Sequence, residues 1–249
     1  MSERIERVFV TIAFSVFWAP QAMSQQAIAR LHSSDWNERA AAFASISDRK
    51  PGFRSPSLAS ELLDLFKRED GIVTSVVRSH TSVTERYGEA FGEYYAEVVD
   101  ACVSYCSKDG FLRVVLADAE PGSPVRSSAI ELLANVFDRG FSQMQQERMI
   151  DAFIAGVLDS TTITNRYAGI LVLGKLVSSP RGFTAVRKEQ MHQALVSGTS
   201  DRYPALRIEA VRALAKFRDP RDRALFTRIA AEDPVVRTEA VAALARLPR

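Results

Sequence analysis

The feature that most constrains this chain is an internal repeat near its C-terminus. Residues 204–215 read Pro-Ala-Leu-Arg-Ile-Glu-Ala-Val-Arg-Ala-Leu-Ala, and residues 234–245 read Pro-Val-Val-Arg-Thr-Glu-Ala-Val-Ala-Ala-Leu-Ala. The shared pattern Pro-x-x-Arg-x-Glu-Ala-Val-x-Ala-Leu-Ala recurs without a gap at an offset of 30 residues. A repeat of this length is one supersecondary unit, which cannot bury its apolar face alone and becomes stable by stacking on its neighbours.

A looser form of the pattern extends towards the N-terminus. It consists of an arginine, a small residue at +3, a large aliphatic residue at +7 and a small residue at +8. The arginines of the five copies are Arg39, Arg126, Arg166, Arg207 and Arg237. Proline before the first turn and acidic or hydroxyl residues nearby favour helix N-termini, while small and aliphatic residues three and four apart share one helix face. The pattern therefore predicts a helix at each copy.

Apolar segments between these copies predict partner helices. They are Leu58–Arg68, Gln143–Leu158, Phe183–Val196 and Arg221–Ala231. The β-branched stretch Ile72–Val83 is an exception, which we interpret as a loop or a distorted helix. We predict an all-α fold, an α-solenoid of antiparallel helix pairs with about five to six repeats, over residues 25–249 and most regular at 120–249.

The run from Asp233 to Leu244 resembles the hallmark of HEAT and HEAT-like repeats, Asp-Pro-x-Val-Arg-x-x-Ala-x-x-Ala-Leu. The resemblance is strong over residues 200–247, fair over 120–180 and 35–47, and weak over 50–118. The 30-residue offset is similar to the short HEAT-like units of phycobilisome lyases. The resemblance implies that the repeat arginines brace neighbouring repeats. We therefore assign Arg126, Arg166, Arg207 and Arg237 to the fold and not to a site.

Residues 1–24 predict a secretory signal peptide. Arg4 and Arg7 precede an apolar run from Val8 to Ala19, and Ala22-Met23-Ser24 supplies a small-x-small cleavage pattern. The run is about a dozen residues, shorter than the ~20 that cross a bilayer as a helix. The alternative is an uncleaved helix that caps the solenoid or anchors the chain. We expect an exported protein, periplasmic, secreted or envelope-associated, without a membrane span after signal removal.

Few residues could carry chemistry. His32, His80 and His192 are far apart, and the two cysteines, Cys102 and Cys106, have no further metal ligands at suitable spacing. Because a regular helix rarely offers disulfide geometry at i,i+4, we interpret the cysteines as small core residues. The sequence lacks a phosphate loop, a nucleophile elbow and a zinc-protease helix. We expect no enzyme activity, no cofactor and no metal.

One acidic and aromatic segment is our candidate partner-binding site. Its residues are Glu85, Glu89, Glu93, Tyr94, Tyr95 and Glu97. In a continuous helix the glutamates would form one acidic ridge, which is mildly unfavourable unless a cationic group faces it. A basic partner or a divalent cation could supply that charge, and exposed tyrosines would strengthen the binding interpretation. The alternative is a solvated helix face whose aromatic residues lie in the core.

A second candidate surface lies in the basic C-terminal part of the chain, where residues 181–249 carry 14 basic and 8 acidic side chains. The arginines concerned are Arg202, Arg212, Arg218, Arg221, Arg223 and Arg228. Arginine clusters suit phosphate or carboxylate recognition. Acidic residues are interspersed among them, so we favour a salt-bridged surface.

The leading functional hypothesis is a non-enzymatic protein-protein interaction scaffold or adaptor in the bacterial periplasm or cell envelope, because solenoids expose a long docking surface. Two alternatives stay open. The first is a HEAT-like enzyme of the bilin lyase or DNA glycosylase type, and the second is a structural subunit of a larger complex. We expect a protein partner and no nucleic acid, since a net charge of +2 is too small to predict one.

Overall fold

The computed structural model describes residues 26–47, 56–79, 81–159, 161–178 and 182–248, so the predicted signal peptide and His80 lie outside the described residues. Within these ranges the regular structure is helical and contains no strand, which confirms the predicted all-α class. The helices are α1 (Trp36–Ser47), α2 (Pro56–Arg78), α3 (Val83–Tyr87), α4 (Glu89–Tyr105), α5 (Lys108–Asp118), α6 (Arg126–Val136), α7 (Gln143–Val157), α8 (Ile163–Leu176), α9 (Ala185–Gly198), α10 (Pro204–Leu214), α11 (Arg223–Glu232) and α12 (Arg237–Arg246).

The chain divides into two compact units, which we call unit 1 (up to Phe111) and unit 2 (from Leu112). In unit 1, α2 packs against α4, and α1 and α3 also contact α4. Aromatic rings fill the space between these helices. Trp36 meets Phe91 edge-on with ring centroids 5.4 Å apart, and Phe66 stacks on Phe111 at 5.1 Å. Large rings of this kind bury much apolar area and dominate the core of unit 1.

The interpretation of Ile72–Val83 as a loop or a distorted helix is wrong for most of the stretch. α2 continues to Arg78, and its buried residues Leu62, Leu65, Phe66, Glu69 and Val76 lie on one face. Packing of this face on α4 outweighs the weaker helix propensity of β-branched residues. The backbone leaves the helix only after residue 78 and re-enters one at residue 83.

Unit 2 is built from helix pairs whose second helices carry the repeat arginines. The pairs are α7 with α8, α9 with α10, and α11 with α12, and the second helices α6, α8, α10 and α12 pack successively on one another. Arg207 and Arg237 lie in the first turns of α10 and α12. The two copies of the repeat therefore occupy equivalent places in successive hairpins, as predicted.

The predicted partner helices of unit 2 are confirmed within a few residues. Their N-termini carry the expected caps: Ser142 accepts from the backbone of Gln145 in a capping box before α7, and Thr184 accepts from Arg187 N before α9. The segment predicted to begin at Arg221 starts as a 3₁₀ turn, Pro220–Asp222, that leads into α11. The helix predicted at Leu58–Arg68 is longer than expected, since it runs from Pro56 to Arg78.

Gly169 marks a close approach between α8 and α7 in unit 2. A Cβ atom added there would lie 2.6 Å from the backbone nitrogen of Val157 and 2.8 Å from the carbonyl oxygen of Phe153. Both of these groups belong to the backbone of α7. A side chain at this position would therefore push the two helices apart, so glycine here sets the spacing of the hairpin.

Candidate protein-interaction surface

Three arginines of unit 2 each donate to a carboxylate of the following repeat. The pairs are Arg126 with Asp159, Arg166 with Asp201, and Arg207 with Asp233. Each arginine also donates to a backbone carbonyl a few residues before its own helix. The predicted bracing role is confirmed for these pairs. Arg237 makes the same carbonyl contact, to Ala230 at 2.9 Å, but has no carboxylate partner within the described ranges.

Each aspartate of these pairs also caps the loop before its own second helix. In Asp233, Oδ1 accepts from the backbone nitrogens of Val235 and Val236 while Oδ2 accepts from Arg207 at 2.7 Å. Burial would raise the pKa of Asp159, but hydrogen bonds from Thr161 and Asn165 hold it well below its usual range. The charge of each aspartate is thus paired with an arginine, and its oxygens accept hydrogen bonds from the adjoining loop. These carboxylates therefore have a structural role.

The acidic segment is not one continuous helix. Gly88 adopts φ +82°, a left-handed conformation that favours glycine, and it separates α3 from α4. Glu85 lies on α3, where it forms a capping box with Ser82. The predicted ridge of four glutamates is therefore wrong in extent, because Glu85 belongs to a different helix and serves as a cap.

The remaining glutamates of the segment lie on α4. Glu89, Glu93 and Glu97 are exposed and recur at i,i+4 on one face. Within the described part of the chain none of them forms an ion pair. They make a short acidic row that faces solvent, which leaves them available to a basic partner.

The tyrosines of the segment do not line this row. Tyr94 is 6% exposed and donates its hydroxyl to Glu69 Oε1 at 3.0 Å. Tyr95 is half-buried and donates to Asp70 Oδ1 at 2.7 Å. Burial first, and then the Glu69 carboxylate, raises the pKa of Tyr94, so its hydroxyl stays a donor. Tyr94 therefore does not supply the exposed aromatic group that would strengthen the binding interpretation, because its ring completes the aromatic core of unit 1.

The interaction that Tyr94 joins could not be found from the sequence. Arg39 Nε lies 2.5 Å from Glu69 Oε1, and Arg39 Nη2 lies 2.8 Å from Glu69 Oε2. The same guanidinium donates to the carbonyls of Ser33 and Ser34. Arg39 belongs to the repeat pattern, but Glu69 lies in the middle of α2, where no cap or motif marks it. The 30-residue separation of the pair was the one available signal.

The arginines of the basic C-terminal part are largely engaged in surface pairs, as we favoured. Arg212 bridges Glu209 and Glu239, at 2.7 and 2.9 Å. Arg221 bridges Glu189 and Asp219. Arg202 lies over the ring of Tyr203, 4.7 Å from its centroid, and Arg223 donates to the carbonyl of Pro248. These contacts tie repeats together more than they form a phosphate site.

The solvent-facing side of the second helices of unit 2 carries an apolar row. Ile163, Tyr167 and Leu171 follow one another at i,i+4 on α8, with Ile163 37% and Tyr167 40% exposed and Leu171 half-buried. The position after the repeat arginine is Tyr167 on α8 and Ile208 on α10, and Ile208 is also half-buried. Sequence analysis missed this row because its residues read as core of an amphipathic helix.

Basic side chains lie at the C-terminal ends of the same helices. Counting nine residues on from each repeat arginine gives Lys175 on α8, Lys216 just after the end of α10, and Arg246 on α12, all of them exposed. Lys216 Nζ donates to the carbonyl of Gly174 at 2.8 Å. Lys175 and Arg246 form no ion pair within the described part of the chain. We call the apolar row and these cations the second-helix face.

A groove of about 480 Å³ lies on the opposite layer, between α7 and α9. Its apolar residues include Ile154, Ala155 and Ala194. At its rim Arg187 donates to Glu147 and Asp151. The rim charges are therefore satisfied within the protein, which leaves the groove without an unpaired charged group of its own.

Within the described residues, no three His, Cys, Asp or Glu side chains are grouped so that they could hold a metal ion. The same ranges contain no helix that is long and apolar enough to cross a membrane.

Comparison with known protein families finds a match in the C-terminal part of the chain. Residues 150–245 match the sequence profile of HEAT repeats, and they include the hairpins that carry the Arg166 and Arg207 pairs. No curated protein matches the chain significantly.

Three solved structures illustrate the overall likeness. An engineered protein aligns with TM-score 0.44 and 17% identity, covering 90% of this chain and 95% of its own. A designed armadillo repeat protein in complex with the peptide (KR)4 aligns with TM-score 0.47 and 15% identity over 90% and 98%. A further engineered protein aligns with TM-score 0.44 and 17% identity over 90% and 57%.

The profile match lies within unit 2, where the helix pairs stack successively. Residues 150–245 are thus similar to HEAT repeats, and the described part of the chain is an all-α array of helix pairs.

Proposed function

We propose that this protein is a non-enzymatic interaction scaffold that binds a partner protein across the second-helix face of unit 2. The observation that carries the proposal is the apolar row of Ile163, Tyr167 and Leu171, which leads at the same i,i+4 spacing to the exposed Lys175 of α8. Aromatic residues are enriched in the cores of protein interfaces. A matching partner would place apolar side chains on the row and carboxylates near the cations.

The exposure of this row is not a consequence of α8 lying at an edge. α8 packs against α6, α7 and α10, and its residues Ile170 and Leu173 are 1% and 0% exposed. The helix is therefore enclosed by neighbours on its other sides, yet Tyr167 remains accessible. Burying it requires a partner, and large apolar side chains left in water favour such contacts.

We also propose that the protein acts outside the cytoplasm, in the bacterial periplasm or envelope. This rests on residues 1–24, whose Arg4-Arg7 head, apolar run and Ala22-Met23-Ser24 end are typical of a signal peptide. The test is N-terminal sequencing of the chain from a fractionated cell. A mature chain beginning just after the Ala22-Met23-Ser24 segment in the envelope fraction supports the proposal, and an intact cytoplasmic chain contradicts it.

The binding face is tested by affinity purification from the envelope fraction, followed by affinity measurement with the partner that mass spectrometry identifies. Tyr167→Ala removes the most accessible residue of the row and is expected to weaken binding by about tenfold or more, as truncation of an interface anchor does. Met144→Ala is the matched control, because Met144 is 72% exposed but lies on α7, in the other layer. Its affinity should stay at the wild-type value.

Two outcomes would overturn this assignment. Equal loss from both variants, or loss from Met144→Ala alone, would move the binding site to the other layer. Tight, salt-sensitive DNA binding by the purified chain, or turnover of a tetrapyrrole, would favour the HEAT-like enzyme alternative.

A further inference from the structure

The two cysteines of the chain are placed against each other in unit 1. Cys102 Sγ lies 2.7 Å from Cys106 Sγ, which is well inside the ordinary separation of packed, non-bonded atoms. Cys102 is 0% and Cys106 7% exposed. The chain has no other cysteine, so neither sulfur has an alternative partner within the molecule.

The backbone at Cys106 explains why the sulfurs meet at an i,i+4 spacing. Cys106 is the C-cap of α4 and has φ −77° and ψ 167°, an extended conformation outside the helical region. Its N–H still donates to the carbonyl of Cys102 at 2.8 Å, which holds the two residues together. This bond keeps Cys106 one helical turn from Cys102, so both thiols lie on one face of α4, and it is the contact between the two sulfurs that brings them within reach of each other.

The surroundings favour dithiol chemistry over metal binding. Among the described residues no third His, Cys, Asp or Glu joins the pair in a metal-binding group. The Cys106 thiol also donates a hydrogen bond to the carbonyl of Ala59, 3.4 Å away. Cys106 also lies in the two-residue connection between α4 and α5, next to the exposed Ser107, so a small local opening exposes its sulfur.

We propose that Cys102 and Cys106 form an oxidisable dithiol that closes to an intramolecular disulfide by exchange with a low-molecular-weight disulfide. The Cys106 thiolate attacks one sulfur of the reagent, forming a mixed disulfide and expelling one thiolate. The Cys102 thiolate then attacks the Cys106 sulfur and expels the second thiolate. Two cysteine thiols are oxidised, one disulfide reagent is reduced to two thiols, and the two cysteine protons end on those thiols.

The structure also sets the order of attack. Cys106 has the sulfur nearer to solvent, at the end of α4, while the Cys102 thiol is fully buried and donates a hydrogen bond to it. The hydrogen bond to Cys106 and then burial raise the pKa of Cys102. Cys102 therefore keeps its proton longer and acts second, as the resolving thiol.

The test exposes the full-length chain to oxidised glutathione, quenches with acid, denatures and labels free thiols with a maleimide before intact-mass measurement. The expected product takes up no label and is lighter than the reduced chain by two hydrogen atoms. It should return to two labelled thiols after reduction. A chain that keeps both thiols under fully oxidising conditions, or that forms only glutathione adducts or intermolecular dimers, overturns the proposal.

Two single variants check the order of attack. In Cys102→Ala the reaction should stop at the Cys106–glutathione mixed disulfide, because no resolving thiol remains. In Cys106→Ala the buried Cys102 should remain unmodified in the native protein and react only after denaturation. The reverse pattern, a glutathione adduct on native Cys102 but not on Cys106, contradicts the assignment. The wild-type labelling result stands even if one variant folds poorly.

Discussion

Units 1 and 2 use the same device in different surroundings. In each, the arginine of a repeat reaches a carboxylate about one repeat further along the chain. In unit 1 the Arg39 and Glu69 side chains are 1% and 0% exposed and are surrounded by aromatic rings. In unit 2 the exposure rises along the chain, from 2% and 4% for Arg126 and Asp159 to 19% and 21% for Arg207 and Asp233.

This difference shows that the repeat pattern specifies which residues pair, but not how much each pair contributes to the stability of the fold. Breaking a buried pair leaves an uncompensated charge in a low-dielectric interior, whereas water solvates the survivor of an exposed pair. Unit 1 therefore depends strongly on one pair within an aromatic core. Unit 2 distributes its stability over several hairpins that stack with small residues.

The largest expected loss of stability follows from breaking the Arg39–Glu69 pair. Arg39→Ala leaves the Glu69 carboxylate buried without its cation, and we expect a loss of about 3–5 kcal/mol in the free energy of unfolding. Chemical denaturation followed by circular dichroism measures it. Replacing Arg39, Glu69 and Tyr94 together by Met, Met and Phe should recover part of the loss, because no buried charge remains. A loss below about 1 kcal/mol for Arg39→Ala would place this pair with the exposed ones.

The gradient within unit 2 is tested by comparing Arg126→Ala with Arg207→Ala. We expect the free energy of unfolding to fall by about 3 kcal/mol when the buried Arg126 is replaced and by about 1 kcal/mol when the partly exposed Arg207 is replaced. The same denaturation measurement applies to both variants. Equal losses would mean that burial does not control the strength of these pairs. Raised salt should reduce the effect of Arg207→Ala more than that of Arg126→Ala.

Unit 2 also contains a buried histidine–carboxylate pair. His192 Nε2 lies 2.9 and 3.0 Å from the two oxygens of Asp222. The hydrogen bond to Asp222 raises the pKa of His192 against the opposing effect of burial, and Asp219 and Glu189 add to the rise. A raised folded-state pKa stabilises the protein fully below the unfolded value of about 6.5, and this stabilisation is lost as pH rises through the folded-state pKa.

The stability difference between wild type and His192→Gln should therefore shrink as pH rises above about 6.5 and through the raised folded-state pKa of His192. Asp222→Asn should show the same flattened profile, since it removes the carboxylate that favours the charged ring. Arg39→Ala serves as the control from unit 1, because the guanidinium that it removes stays protonated throughout this pH range. A wild-type advantage that stays constant with pH would show that the ring is neutral throughout.

The smallest expected effect concerns the acidic row of unit 1. Glu93 lies between Glu89 and Glu97 at i,i+4, so Glu93→Gln should stabilise the protein by about 0.2–0.5 kcal/mol per relieved pair at low salt. Glu85→Ala should have the opposite sign, because Glu85 caps α3. Thermal unfolding measured at two salt concentrations distinguishes the effect of Glu93→Gln from that of Glu85→Ala. Destabilisation by Glu93→Gln would mean that an unrecognised cation faces the row.

Much of the fold could be predicted from repetition. The copies at Arg207 and Arg237 indicated equivalent second helices because arginine, small and aliphatic positions recur in a pattern that only stacked helices satisfy. The apolar segment that begins at Gln143 carries its own capping box, so its start was readable too. These are local signals, and the structure confirms them.

The candidate site depended on longer-range information. Gly88 divides the acidic segment through a left-handed backbone conformation, which the glutamate spacing conceals. The sequence left open whether Tyr94 is exposed or buried, because the Glu69 and Arg39 side chains beside it come from distant parts of the chain. The exposed row at Tyr167 arises because α8 has neighbours on its other sides, which depends on how hairpins stack. The pairing of Cys102 with Cys106 likewise depends on where α4 ends.

The close contact at Gly169 has a mechanical consequence. Because the backbones of α7 and α8 already touch there, this hairpin behaves as a stiff element that can neither be compressed nor twisted without a clash. Deformation of unit 2 must then be taken up at the joints between hairpins, where side chains and ion pairs can slide. The protein would adjust to a bound partner by moving its hairpins as rigid bodies, and Tyr167 lies on the hairpin that Gly169 holds together.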